Sequence, residues 1–218
     1  MANPAPIRTP LSRERVLAGA VALADKIGVE SLTIRKLATE LGVKPMTIYH
    51  HVANKEAIID GMVDIVFAEI DAPPADRDWK SAMRHRAESA RTVLARHPWA
   101  APLMESRTSP GPATLNHHDA VIGCFRRGGF SWELTGHAYA LIDAYIYGFA
   151  LQEANLPATG GDDLGELAET IFEDFPIGDF SHLMEFTAEH VMQPGYDFRA
   201  EFAFGLDLIL DGLEAAAR

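Results

Sequence analysis

Leu32-Thr33-Ile34-Arg35-Lys36-Leu37-Ala38-Thr39-Glu40-Leu41-Gly42-Val43-Lys44-Pro45-Met46-Thr47-Ile48-Tyr49-His50-His51-Val52-Ala53-Asn54-Lys55-Glu56-Ala57-Ile58 is the stretch that decides the fold. Thr33 is placed to cap a helix that buries Ile34, Leu37, Ala38 and Leu41 on one face and stops at Gly42. Glycine takes the left-handed conformation that lets the chain leave one helix sharply, and Pro45 suits the first turn of the next, which runs to about His51. Two short helices around a glycine turn make a helix-turn-helix: the first braces the second, whose N-terminal side chains enter a major groove about 12 Å wide and meet base edges.

Outward from this motif the pattern stays helical. Leu11-Ser12 supplies a start, and Leu17, Ala20, Val21, Ala24 and Ile27 recur at helical spacing up to Gly28. Pro4, Pro6 and Pro10 make residues 1–10 read as a disordered arm. On the other side Asn54 caps a fourth helix with an Ile58, Ile59, Met62, Ile65, Val66, Ile70 stripe, which Asp71-Ala72-Pro73-Pro74 ends as a linker. Further helices are expected over 79–97, 100–107, 114–127, 131–155, 164–175, 181–191 and 198–217, with loops at 156–165 and 193–197. The first of these loops and the acidic stretch after it, Glu166 to Asp174, are the part expected to be most mobile. No strand-like alternation competes, so the fold class is all-α: an N-terminal three-helix helix-turn-helix domain plus a larger helical domain.

The chain has 218 residues, 48% of them hydrophobic, enough to bury a sizeable core. A single cysteine, Cys124, excludes an internal disulfide. The net charge of −12 argues against nucleic acid as a partner if taken whole. Residues 1–60, however, hold eight basic residues against six acidic ones, a balance of +2, and the remainder carries −14. A mildly basic head on an acidic body turns the head, and not the body, toward phosphate. No run of 18 apolar residues suggests a membrane span, and no secretory leader pattern opens the sequence, so a cytoplasmic location is expected.

The helix-turn-helix stretch resembles the DNA-binding domain of the TetR family through Leu32-Thr33, the Arg35-Lys36-Leu37-Ala38 run, Leu41-Gly42-Val43, Thr47-Ile48-Tyr49, His51-Val52 and Asn54-Lys55. The resemblance implies that Thr33, Thr47, Tyr49, His51 and Lys55 grip phosphates, Lys55 with help from the positive end of the fourth helix. Sequence readout then falls on Arg35, Lys44, Pro45 and Met46. The tetracycline repressors carry a Gln where this chain has Pro45, so a different operator is expected.

Beyond the head, Trp79, Gly129-Phe130-Ser131 and Glu201 to Glu214 resemble the C-terminal domain of the tetracycline-repressor branch. What the resemblance implies is a homodimer on a palindromic double-stranded operator, acting as a repressor released by a small molecule, with no cofactor. Residues 11–55 would form the DNA-binding domain and 56–218 the regulatory and dimerisation domain, joined by the linking helix 54–70. An inducer cavity would draw on Arg86, Met104, Val121, Phe125, Tyr139 and Ile142. Metal-binding histidines of the tetracycline repressors fall near Met104 and Asp71, where this chain has none; a metal-held tetracycline is therefore not the expected ligand, and an apolar or aromatic compound is. For the dimer, periodicity offers Phe198, Phe202, Gly205, Leu206, Ile209 and Leu213 on the last helix, with Ala138, Leu141, Ile142, Tyr145 and Phe149 on the long one.

Other features read more plainly. Neighbours on a helix point about 100° apart, so His117-His118 do not share one ion. Cys124, among Val121, Ile122 and Phe125, behaves as a small hydrophobe. Asp143 lies between apolar neighbours and would be costly if buried unpaired, so it is expected to meet an arginine or a solvated rim, or else to hold a polar group of the inducer. No Gly-rich phosphate loop, Gly-x-Ser-x-Gly or His-Glu-x-x-His occurs, which sets an enzyme aside; a helical ligand-binding protein without DNA function is the rival reading.

Overall fold

In the computed structural model, residues 10–160, 164, 165, 167 and 180–218 are described. The helix boundaries follow from local chemistry. Ser12 accepts from the Arg15 amide at 3.2 Å and opens α1 (Arg13–Ile27), which Gly28 closes at φ 76°. Thr33 accepts from the Lys36 amide and opens α2 (Ile34–Leu41). At Gly42, φ 68°, the Val43 amide turns back to the Ala38 carbonyl at 2.9 Å, joining the Gly42 amide on the last carbonyls of the helix. Pro45 then starts α3 (Pro45–Ile48), shorter than expected, because 3₁₀-type bonds from His50 to Thr47 and from His51 to Ile48 replace its last turn. Asn54 accepts from the Ala57 amide at 2.8 Å and opens α4 (Lys55–Glu69).

The chain divides into two compact units. The first comprises residues up to Ala72 together with Thr92–Val121. Its core sets Leu17, Ala20, Val21 and Ala24 of α1 with Leu37, Ala38, Ile48, Ile58, Met62 and Val66. α1 and α4 run so close that a Cβ at Gly61 would strike Leu17.

In this unit α4 is gripped along its length by later residues. Arg107 donates from Nε to Asp60 (2.6 Å) and from Nη2 to Glu56 (2.7 Å). Asp64 accepts from the amide and hydroxyl of Thr114, Phe67 packs on the rings of His117 and His118, and Glu69 meets Arg96 and His97. The other ring nitrogen of His97 meets Asp25 of α1, which also accepts from the Trp99 indole.

The second unit comprises Pro73–Arg91 and Ile122–Arg218, so the Pro73-Pro74 segment stands at its start. Further helices among the described residues are α5 (Trp79–Arg96), α6 (Pro112–Arg127), α7 (Trp132–Asn155), α8 (Ser181–Phe186) and α9 (Glu201–Ala216). The long apolar run of α7 packs on α9: Tyr145 stacks on Phe202, and its hydroxyl donates to the carbonyls of Glu201 and Phe202 over Gly205, where a Cβ would collide with it. Lys80 bridges to Asp211 (2.6 Å) and Glu214 (3.1 Å), and Arg84 to Asp207, laying a charge ladder between α5 and α9.

Three further expectations shift. Residues 100–107 form only a 3₁₀ turn, Ala101–Leu103, followed by turns, since Pro102 donates no amide and Thr108-Ser109-Pro110-Gly111 cuts the run short. The 181–191 segment is α-helical to Phe186 and then widens into a π turn, Thr187–Val191. Six of the eleven apolar residues named for dimerisation, Ala138, Ile142, Phe149, Phe202, Leu206 and Leu213, are buried within one subunit, where Tyr145 and Phe149 of α7 meet Phe202 of α9. Of the residues named, Leu141 does stand outward, joined by Leu151 on α7 and by Phe204 (66% exposed) and Leu208 (59%) on α9. The expected arm at residues 1–9, and most of the helix expected at 164–175 and of the mobile acidic stretch, lie outside the described residues. Among the described residues the one strand-like feature is an isolated bridge between Gly160 and Asp197, and no helix is long and apolar enough to cross a membrane.

Candidate nucleic-acid interface and effector residues

The recognition elements are held from beneath and bare on top. Ile48 is fully buried and Val52 buried, which anchors α3 and the turn after it. Met46 (69% exposed) and Tyr49 (43%) then stand outward with Lys44 and Pro45. Thr33 and Arg35, at the start of α2, are exposed on the same unit. The Thr33 hydroxyl accepts from the helix, and its own hydrogen remains available to a phosphate oxygen. Thr47, His51 and Lys55 are half-buried, with Lys55 as the first residue of α4, where the unpaired amides of the helix end favour an anion.

His51 lies close enough to Glu14 to act on its charge: the Glu14 carboxyl is held below its usual range by its own backbone amide and by Ser12, with Arg13 and His51 adding to the effect. One residue escaped the sequence reading. His50 is exposed, four positions after Met46 and beside Tyr49, so it shares their open face; the helical spacing from Met46 is the signal that would have found it.

Scaffold contacts fix the angle of this face. Lys26 of α1 meets Glu40 of α2 at 2.7 Å, and Lys36 donates to the Ser31 carbonyl at 3.0 Å, which ties the bracing helix at both ends. Lys36 is thereby turned toward its own backbone, while Arg35 next to it stays exposed.

The residues expected at an effector cavity fall into both units. Met104 and Val121 are buried in the first. In the second, Arg86, Phe125 and Ile142 are fully buried and Tyr139 is half-buried. Arg86 meets Asp143, the carboxylate for which an arginine is one of the expected partners, at 2.5 Å. Burial opposes the charge on Arg86, but Asp143, Tyr147 and Tyr139 outweigh it and hold the guanidinium more firmly protonated than usual. Phe125 is packed between Trp79 and Phe130, with ring centroids at 6.1 and 5.2 Å, which also makes it part of the aromatic core.

Near Met104 a small cavity of about 110 Å³ opens between α4 and the start of α6, bordered by Asp60, Val63, Arg107, Thr114 and His118. A larger cleft of about 390 Å³ lies between α1, α4 and the Ser109–Pro112 turn, with Arg13, Glu14, Asp60 and Asp64 on its walls.

Residues 16–62 match the family of bacterial regulatory proteins described as the tetR family, and residues 72–217 match the tetracyclin repressor-like C-terminal domain. The chain is 32% identical to the class A tetracycline repressor protein from transposon 1721 of Escherichia coli over 208 residues, covering 94% of this chain and 91% of that one. It is 30% identical to the transcriptional repressor DrrR1 of Streptomyces coeruleorubidus, covering 94% of this chain and 77% of the relative. Among solved structures it is similar to the TetR family protein ActR of Streptomyces coelicolor in complex with actinorhodin, with a TM-score of 0.76, 26% identity and coverage of 96% and 99%.

Proposed function

Because this chain belongs to the tetR family of bacterial regulatory proteins, we propose that it is a repressor that grips a palindromic operator through residues 11–55 and is released by a small molecule received in residues 56–218. It is a transcriptional regulator and not an enzyme, it acts as a homodimer, and its partner is double-stranded DNA. Its place of action is the cytoplasm, where its operator lies. The observation that carries the reading is the α3 face: Lys44, Pro45, Met46 and Tyr49 stand outward while Ile48 beneath them is sealed in the core.

In the assignment we propose, Thr33, Thr47, Tyr49, His51 and Lys55 hold phosphates and set register, since phosphate contacts carry no sequence information themselves. Arg35, Lys44, Pro45 and Met46 read bases: Lys44 can donate to guanine, and Pro45 or Met46 can meet a thymine methyl. Two such heads, one per subunit, must sit about one helical turn apart, near 34 Å, to read a palindrome. The effector side draws on Arg86, Met104, Val121, Phe125, Tyr139 and Ile142, and no metal is assigned to it.

Release works through α4. Its first residue, Lys55, belongs to the DNA face, and the rest is clasped by Arg107, Thr114, His117 and His97. That segment includes Met104, so a ligand that shifts it also shifts α4. A ligand preferring the shifted state by about 3 kcal/mol weakens operator binding roughly a hundredfold.

The test is selection of duplexes from a random DNA pool by the purified full-length protein, followed by salt titration of the enriched site. A palindromic consensus whose affinity falls steeply with salt is expected. A folded protein that enriches no sequence would defeat the proposal in favour of a helical ligand-binding protein without DNA function.

A further inference from the structure

Arg86 and Asp143 form an ion pair in the interior of the second unit. Arg86 is 0% exposed, Asp143 is buried, and Nη1 meets Oδ1 at 2.5 Å. Two ions taken out of water return their desolvation cost only when their remaining polar atoms also find partners. Asp143 falls short of that: its second oxygen, Oδ2, is buried and has no hydrogen-bond partner among the described residues. A buried acceptor left unmet costs stability, so its retention calls for a reason.

The surroundings limit what can meet it. Tyr139, Asp143 and Tyr147 are spaced by four along α7 and share one stripe of the helix. Both tyrosines are half-buried and lie near enough to act on the Arg86 charge. The open position is an acceptor, so its partner must donate. The Arg86–Asp143 pair is already neutral, so a charged partner would bring a second, unbalanced charge into the interior. The flanking phenol rings favour a flat apolar body with which they can stack.

We propose that Asp143 Oδ2 is the polar anchor of the effector site, and that the effector is an uncharged aromatic compound donating a hydroxyl hydrogen to it. This rests on the ligand-released reading given above. Asp143 Oδ1 stays on Arg86, which fixes the plane of the carboxylate, while Oδ2 takes the ligand. A hydroxyl on a carboxylate makes a short, charge-assisted bond. The methyl ether of the same ring system has no hydrogen to give and sets one oxygen against another.

The experiment is isothermal titration of the full-length homodimer with β-naphthol and with its methyl ether. The wild-type protein is expected to bind the naphthol at least about tenfold more tightly, a difference of roughly 1.4 kcal/mol. D143N places an amide donor or a weaker acceptor at this position and is expected to erase the preference. Since D143N also strands the Arg86 charge, the double substitution R86M/D143L, which replaces the pair with apolar side chains of similar size, provides a folded control; it too should treat both compounds alike. Equal binding by the wild type, no binding of either compound, or a preference that survives in R86M/D143L overturns the proposal. The DNA readout separates it from the parent reading. Preferential binding that never releases the selected duplex defeats ligand release and leaves the anchor standing, whereas release that R86M/D143L leaves intact defeats the anchor alone.

Discussion

The Asp64 carboxylate on α4 accepts from both the backbone amide (2.8 Å) and the hydroxyl (2.9 Å) of Thr114, the third residue of α6. The first residue of α6 is Pro112, which has no amide hydrogen, so an aspartate fifty positions earlier serves as the cap for that helix. Replacing Asp64 with Ala is expected to lower stability by about 1–2 kcal/mol, the usual cost of a lost cap. Both bonds go to one oxygen, Oδ1, so Asn at the same position can still accept them, without the charge, and should lose less. Urea unfolding followed by circular dichroism checks both, and an Asp64→Ala protein as stable as the wild type would contradict the capping role.

Phosphate-gripping and base-reading residues should separate in DNA titrations. Lys55→Ala is expected to weaken binding to every sequence and to reduce the slope of log affinity against log salt by about 1. Lys44→Ala should leave that slope closer to the wild type while relaxing base preference at one position of each half-site, by about 1–3 kcal/mol. Reversed patterns would exchange the two assignments.

Gly42 sits at φ 68°, where a side chain is strained although nothing crowds the position. Gly42→Ala is therefore expected to cost about 1 kcal/mol through the backbone alone, read as a fall in melting temperature with the helical signal unchanged. Gly205 tests the opposite cause, since here the obstacle is the Tyr145 hydroxyl and not backbone strain. Gly205→Ala should cost about 1–3 kcal/mol by overpacking, and pairing it with Tyr145→Phe should recover part of that loss.

Much of this was legible from local residues. Ser12, Thr33 and Asn54 as caps, Gly28 and Gly42 as stops and Pro45 as a start act within one turn of themselves, so the sequence alone placed α1, α2 and α4 to within a residue or two. The cost of burying a carboxylate also made an arginine one of the partners expected for Asp143. Which arginine was out of reach, because Arg86 lies 57 positions away, and the same distance problem hid the Asp64 cap. Which faces of α7 and α9 are covered within one subunit was not legible for another reason. Both helices are apolar on more than one side, and periodicity finds an apolar face without saying whether a neighbour in the same subunit or in the partner covers it.

Burial pushes the Cys124 thiol up, with Arg127 opposing only in part. The thiolate is the reactive form, so alkylation by iodoacetamide at neutral pH should be slower than for a free thiol. Its rate should rise with pH over a range shifted upward from that of a free thiol. Mass spectrometry over time measures this, and rapid modification of the native protein at neutral pH would show the thiol to be open and activated.

The ladder from Lys80 and Arg84 to Asp207, Asp211 and Glu214 adds little to stability, because partly exposed ion pairs are weak. Its effect is on phase. Turning α9 by one residue, about 100°, would pull all three carboxylates away from their cations, so the ladder indexes the helix to a single angular setting. That setting hides Phe202 and Leu206 and leaves Phe204 and Leu208 outside. Charges at the rim thus choose which apolar stripe of α9 is left outside.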